Sequence, residues 1–530
     1  MKNILIIFTF IFILIRLPFL DQIFLLHDER DIAYSGYSIA QTGKDLYGKS
    51  MPLNFEGISP SNPMVAIYYS AFWSLFLPGH SVFYARLPYV LISSLLIWII
   101  YELIFHITGN KKKALLTSVL FCFSPWIFHI TRLALDIPLA IVLLLGGTLC
   151  LLKQKRILAY ILLFLTFYSY QGFRLLIPFL VVYLEAYHIN IKSVKSWLPR
   201  LLISIVFIFV LFGSTFIIDP QTTKGRFSEI IFFSVDNVKE VIFRRNSTTV
   251  SPIISKIFDN KITTALDYML TNLIKGQDLM YLFKTGDYSA INGSTASGQF
   301  IFIFIAFYYL GIASMGRKTD NNDLFILGLI IVGMIPALLS TNGSSFAIRA
   351  MPTGIGFAYI LALGFLFGWD IFKKLKYKKL IIPIITIALI INFSYVGYIY
   401  FFRRPVTVGE IFNEHERSLS KYVLDNKNQS YPIYHRMPQD GFLTFAFFDK
   451  ELSLPMVQKQ MIDKTYADNG FIFKVCNSKL NYQKQTQAII SEGCLDVKTY
   501  DFFANINNPK VSYRIPYKDY SLKTAYFITR

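Results

Sequence analysis

Between residues 27 and 47 runs HDERDIAYSGYSIAQTGKDLY, an acidic, tyrosine-rich stretch that follows the first long apolar segment without a gap. Asp28 and Glu29 open it, where the chain leaves its first apolar run. Ionisable groups at the mouth of a membrane span are costly to keep and mark sites more often than supports. A carboxylate there can act as a general base on a substrate held at the lipid boundary, and partial desolvation raises its pKa toward a useful range. The competing reading is an interfacial N-cap, in which the acid accepts backbone N–H groups.

Further polar residues accumulate at the same kind of junction. Arg132 and Asp136 in RLALD are four apart, a helical spacing that puts guanidinium and carboxylate on one face, where an internal ion pair is the rival use. Tyr170 and Arg174 in YSYQGFR are again four apart, and Arg349 lies in TNGSSFAIRAM. Guanidinium groups suit phosphate because the planar fork gives bidentate charge-assisted hydrogen bonds, whereas single arginines near helix ends commonly snorkel. Three arginines gathered on the face that holds the carboxylates favour a phosphate site. His129 is read as an interfacial polar residue, not as a metal ligand.

There is no Walker-type phosphate loop, no Rossmann fingerprint, no HExxH and no Cys/His spacing for structural zinc. A soluble nucleotide donor is therefore not expected. Carboxylates leave room for a divalent cation, but no His cluster stands beside them and the metal is left unassigned. Cys122 and Cys150 sit in apolar runs as small hydrophobes, while Cys476 and Cys494 lie in the polar tail and can pair if that tail is extracytoplasmic.

The elements that must position these groups are membrane helices. The 530 residues are 54% hydrophobic and 17% aromatic with only 16% charged, which excludes an ordinary soluble domain. Residues 3–20 read as a first span, since no small-residue cleavage site of a signal peptide follows. Segment 64–78 is short and aromatic, an interfacial helix. Further spans are expected at 82–108, 114–130, 136–152, 157–171, 173–187, 199–217, 299–316, 324–340, 351–369 and 380–402, about eleven in all.

The net charge of +19 falls in short clusters such as Lys111–Lys113, Lys153/Lys155/Arg156 and Lys373–Lys379 between apolar runs. With a cytoplasmic N-terminus these clusters land on one side, so the charge is read as topology and not as nucleic-acid binding. The opposite, outer face then carries 21–80, the junctions near 129–136 and 168–174, the long loop 218–298, 341–350 and the tail from Arg403. The tail reads as a helix at 408–426 followed by β-prone runs YPIYHR, FLTFAFF, FIFKV and KVSYRIPY, a small α/β domain. The expected division is thus 1–402, an all-α polytopic membrane domain, and 403–530, an extracytoplasmic α/β domain.

The runs HDERDIAYSGYSIAQTGKDLYG, FYARLPYVL, SPWIFHITRLALDIPLA, YSYQGFRLLIP and the late PALLST…IRAMP together resemble the GT-C glycosyltransferases of the protein O-mannosyltransferase and aminoarabinose-transferase type, bacterial RgtA/B/C/D-like branch, over residues 1–402. The resemblance implies a GT-C fold and transfer of a sugar from a polyprenyl-phosphate donor to an acceptor hydroxyl of protein, lipid or glycan, with inversion at the anomeric carbon. It makes Asp28 the base, Glu29 the second member of the pair and Asp136 a further acid of the outer cavity. Arg132, Tyr170, Arg174 and Arg349 fall to the sugar and the lipid phosphate, an assignment made here from charge and side. Where many relatives carry His-Pro-Pro late in the first outer loop, this chain has Ser61-Asn62-Pro63-Met64.

The resemblance also implies a multi-pass protein of the plasma (inner) membrane with an extracytoplasmic active site. A transporter or flippase of lipid-linked or small substrates is the alternative class, but transporters place ionisable groups near the midplane in broken helices, often as internal repeats. A lipid-linked polysaccharide polymerase or ligase would share the donor chemistry without calling for an acidic pair after span one.

Overall fold

The computed structural model describes residues 1–55, 63–187, 194–218, 230, 232, 234–317, 320–341, 347–374, 378–427, 429–468, 470–477, 480–517 and 523–530. Ser61 and Asn62, where the chain departs from His-Pro-Pro, lie outside them.

Helices dominate, and their ends follow from local sequence. After α1 (Lys2–Leu14), α2 (His27–Thr42) begins in the acidic stretch and closes on Gly43, whose φ of 69° is the left-handed C-cap conformation that favours glycine. The helices α3 (Met64–Ser74), α4 (Val82–Ser93) and α5 (Leu96–Thr108) follow. Asn110 caps α6 (Lys111–Cys122) by accepting the N–H groups of Lys112 and Lys113, and Ser124 caps α7 (Pro125–Ile130). Then come α8 (Asp136–Leu152), α9 (Arg156–Ser169), α10 (Leu176–Tyr187) and α11 (Val194–Ile218). The long loop contains α12 (Val235–Asn246), α13 (Pro252–Phe258) and α14 (Lys261–Gly276). Apolar helices resume with α15 (Ile305–Arg317), α16 (Asn321–Leu338), α17 (Gly354–Phe372) and α18 (Lys378–Tyr398). The tail adds α19 (Glu414–Asp425), α20 (Pro438–Phe448), α21 (Leu454–Asp463) and α22 (Val497–Ala504).

Among the described residues, five helical segments are long and apolar enough to cross a membrane: Val82–Thr108, Trp197–Ile218, Asn321–Leu338, Ala347–Phe372 and Ile382–Thr407. Five shorter apolar helices, Lys2–Leu14, Asp136–Leu152, Arg156–Ser169, Leu176–Tyr187 and Phe302–Arg317, accompany them. One expected span is divided: Ser124-Pro125 ends one helix and starts another, so 114–130 becomes α6 and α7.

By contact the chain forms two compact units. The first comprises Met1–Pro18, Ser61–Val65 and Tyr89–Tyr400, and the second Phe19–Pro60, Ala66–Pro88 and Phe401–Arg530. The expected boundary at 402/403 lies two residues from the break at Tyr400/Phe401, but the first loop goes with the tail. Within the first unit α15 and α17 pack closely because Gly311 and Gly364 bring backbone against backbone, where a Cβ would run into the carbonyls of Ile360 and Phe307. Small residues serve apolar helix pairs in this way.

The second unit is built on a six-stranded sheet in the order β2-β3-β1-β4-β6-β5. Its strands are β1 (Pro432–His435), β2 (Ala467–Asp468), β3 (Phe471–Val475), β4 (Ile489–Ser491), β5 (Val511–Pro516) and β6 (Thr524–Thr529). β1 runs parallel to both of its neighbours, β3 and β4, while β2, β5 and β6 pair antiparallel. Phe24, Leu25 and Tyr34 of the first loop share one buried cluster with Phe442, Phe445 and Phe447 of the tail.

The run FLTFAFF, expected as a strand, is instead the body of α20. Pro438 at its start and Asp440 in its first turn are helix-start signals, and burial on nearly every side removes the polar face that would have shown a helical period. The tail helix begins at Glu414 and not near 408.

Cys476 and Cys494 are joined in a disulfide, just past the ends of β3 and β4 on either side of β1. The bridge closes a loop with a sequence separation of 18 residues, so Cys476→Ser with Cys494→Ser is expected to cost about 2–3 kcal/mol. Thermal unfolding of the double variant against the wild type, each under non-reducing conditions, checks this.

Candidate active site

α2 carries the acidic stretch, and its charged residues divide sharply by environment. Asp28 is exposed, whereas Glu29 is 0% exposed and Arg30 1%. Glu29 sits at the third helical position and reaches back to accept the Leu26 N–H at 3.0 Å, half of a capping box. Its two oxygens also receive Arg86 of α4, from Nε at 2.8 Å and Nη2 at 2.7 Å. Arg86 spends its remaining donors on the carbonyls of Leu20, Ile23 and Phe24, each at 2.8 Å. Glu29 is thereby fitted to anchor the helix start, and the acidic pair does not act as two equivalent carboxylates.

Arg30 points the other way, into the tail. Its guanidinium donates to Asp31 Oδ1 at 2.8 and 3.1 Å, to the Asp440 carbonyl at 2.8 Å and carboxylate at 3.1 Å, and to Thr444 Oγ at 2.9 Å. Thr444 in turn donates to Glu416 Oε2 at 2.7 Å. His27 stands 3.6 Å from both Glu416 and Asp440, ion-pair distances too long for hydrogen bonds. His435 Nδ1 accepts the Met437 N–H, which leaves its proton on Nε2 to donate to the Tyr526 hydroxyl at 3.0 Å. α2 therefore rests on the carboxyl end of β1 and the first turns of α20, where a doubly wound sheet would place a ligand.

Burial sets the electrostatics of this cluster. It pushes the Asp31 carboxyl up, beyond what Arg30 offsets, and Asp31 Oδ2 has no hydrogen-bond partner. For Glu416 burial also pushes upward, but His27, Arg30 and His435 pull harder and hold the carboxyl well below the usual range. His27 is pushed down by burial and raised on balance by Glu416 and Asp440, against the opposing charge of Arg30. Burial lowers His435 and drives His415 down to about 4.

The first unit holds the remaining expected site residues. Arg132 and Asp136 do not share a helix: residues 131–135 lie between α7 and α8, and Asp136 begins the latter. Arg132 donates to the carbonyls of Arg16 at 2.7 Å and Pro18 at 2.9 Å and lies over the Phe128 and Tyr400 rings, a clamp on the end of the first apolar segment. Tyr170 caps α9, and Arg174 ends a 3-10 turn at Gln171–Arg174, donating to the Phe167 carbonyl with its guanidinium over Phe167 and Tyr168. Arg349 lies in the short turn Ala347–Ala350 and donates to Ser340 Oγ.

Sequence reasoning missed Asp287. Its carboxylate accepts the Ala347 N–H at 2.5 Å and the Ser289 N–H at 2.8 Å, tying loop 286–298 to the turn that bears Arg349, and burial raises its pKa despite both bonds. His129 fastens the same loop from another side, Nε2 lying 2.9 Å from the Ile291 carbonyl and Nδ1 3.1 Å from the Tyr400 hydroxyl. Arg16 was also missed: fully buried, it donates to Thr131 Oγ at 2.7 Å and to the Cys122 and Phe12 carbonyls. Among the described residues no group of three His, Cys, Asp or Glu is arranged to hold a metal.

No protein-family model matches the chain, and no curated protein matches it in sequence. Solved structures do. The archaeal oligosaccharyltransferase AglB from Archaeoglobus fulgidus, in complex with an inhibitory peptide and a dolichol-phosphate, is 10% identical with a TM-score of 0.42, over 83% of this chain and 63% of that one. The chain thus spans less than two thirds of the AglB length. ArnT from Cupriavidus metallidurans, bound to undecaprenyl phosphate, is 13% identical with a TM-score of 0.43, over 99% of this chain and 97% of that one.

The histidines under α2 give the second unit a pH dependence of mixed sign. Burial favours the neutral forms of His415 and His435 in the fold, so their contribution is lost as pH falls below about 6.5, for His415 down to about 4. Glu416, depressed, adds stability that is present above the usual carboxylate range and lost below it. His27, raised, contributes fully below 6.5 and loses that contribution as pH rises through its folded value. Thermal unfolding is expected to be highest near neutral pH and to decline toward pH 4 by up to about 1.4 kcal/mol per pH unit per proton. His415→Phe is expected to flatten the acid side of that profile.

Proposed function

We propose that this chain is an integral-membrane inverting glycosyltransferase that moves a sugar from a polyprenyl-phosphate donor to an acceptor hydroxyl at the extracytoplasmic face of the plasma membrane. The observation that carries this reading is the isolation of Asp28. Of the three acids in HDERD, Glu29 is held by Arg86 and Asp31 by Arg30, while Asp28 stands exposed on a helix fixed from both sides. A base that must meet an incoming hydroxyl needs that access and a rigid support.

Asp28 takes the proton of the acceptor hydroxyl as its oxygen attacks the anomeric carbon from the face opposite the phosphate. The bond between the anomeric carbon and the phosphate oxygen breaks, the polyprenyl phosphate leaves with the electron pair, and the configuration inverts. Arg174 and Arg349 are assigned to the leaving phosphate, Tyr170 to the lipid phosphate and sugar, and Asp136 is kept as the further acid beside Asp28. Arg132 keeps the clamping role its two backbone bonds suit.

The test is transfer from a panel of radiolabelled polyprenyl-phosphate sugars by purified protein in lipid, reading release of the lipid phosphate. Turnover of one donor supports the reading and identifies the sugar. Movement of a lipid-linked substrate across proteoliposomes, with no donor cleaved, overturns it in favour of a transporter.

A further inference from the structure

The helices of the long loop carry apolar side chains that are left exposed among the described residues. On α14, Ile262, Leu266, Leu270 and Ile274 recur every four residues, a single stripe along the helix, and are 50% to 71% exposed. The buried residues Thr264, Ala265, Asn272 and Gly276 lie on a different face. α12 and α13 add Phe243, Ile253, Ile257 and Phe258, all well exposed. Exposed apolar side chains gathered on neighbouring helices mark an association surface.

Two observations fix what covers it. The Asn272 amide donates to the carbonyls of Ala337, Leu338 and Ser340 at 3.2–3.3 Å, so α14 is fastened to the carboxyl end of α16, one of the segments long and apolar enough to span. That end of a span is where the hydrocarbon meets the headgroups. The helices are also too short to cross: 16, 12 and 7 residues give about 24, 18 and 10 Å against a core of roughly 30 Å. Lys261 and Lys275, both exposed, lie on the side of α14 away from the stripe, the side that a helix lying in the bilayer surface turns toward headgroups and water.

We infer that α12–α14 form a lipid-docking platform, lying in the bilayer surface at the level where α16 ends with the Ile262–Ile274 stripe buried in the acyl-chain boundary. The occupant is the bilayer itself.

Nitroxide labels introduced singly through Ile262→Cys, Leu270→Cys and Lys275→Cys test this, in a full-length chain carrying Cys122→Ala and Cys150→Ala, reconstituted in nanodiscs of phosphatidylglycerol and phosphatidylcholine. Collision with oxygen, which partitions into lipid, is compared with collision with a water-soluble nickel chelate. The ratio is expected to favour oxygen several-fold more at 262 and 270 than at 275. Equal access of the chelate to all three positions, placing the stripe in water, overturns the inference. Exclusion of both reagents from 262 and 270, the mark of a covering protein surface such as a second copy, overturns it as well. Neither outcome depends on sugar transfer, so the inference fails or stands separately from the proposed activity.

Discussion

Asp28→Asn is expected to lower sugar transfer by about 10²–10⁴-fold with little change in thermal unfolding. The side chain keeps its size and stays in solvent, and only the capacity to take a proton is lost. Asp31→Asn provides the contrast. It weakens the Arg30 contact but also relieves the burial of the Asp31 charge, so its expected signature is a small change in stability with a modest effect on turnover. Steady-state transfer with matched expression and melting curves separates the two, and full activity of Asp28→Asn would sink the assignment of the base.

Arg86→Met is expected to destabilise the second unit by about 3–5 kcal/mol, because it leaves the fully buried Glu29 carboxylate without its charge partner. The carbonyls of Leu20, Ile23 and Phe24 lose their donor in the same step. Adding Glu29→Met should recover part of the loss, since a buried pair removed whole costs less than one cut in half. A double-mutant cycle on unfolding temperature measures the coupling, and additive losses would show that the pair does not hold the helix start.

Sequence reading reaches what is local. An apolar helix at 136–152 is legible to the residue because length and hydropathy are local properties, and Asp28 stands out as a candidate because a charge beside an apolar run is conspicuous. The different fates of Asp28 and Glu29 are not legible: they depend on Arg86, 57 residues away, whose own run FYARLPYVL marks it only as part of a motif. The helical spacing proposed for Arg132 and Asp136 failed because RLAL forms a break between helices, the Arg132 and Leu133 N–H groups closing tight turns on the carbonyls of His129 and Ile130. In the tail, FLTFAFF is apolar but for Thr444, so neither a period of two nor of 3.6 survives and propensity misleads. The strands β4 and β6 were overlooked because IIS and TAYFIT are short apolar runs with no turn chemistry to frame them.

The anchorage of α2 on the tail also sets a clock on biosynthesis. Arg30 and its acceptor Asp440 are separated by 410 residues, so the helix bearing Asp28 is made long before the surface that fixes it. At roughly 5–20 residues per second, that gap amounts to about 20–80 s during which the helix waits with a guanidinium and a histidine unmatched. β6, which lies between β4 and β5, is the last strand of the sheet in chain order, so the tail must be made through Thr529 before that sheet is complete. A nascent chain stalled or truncated late in the tail would already carry the apolar helices up to Tyr398 and still lack part of the sheet beneath α2.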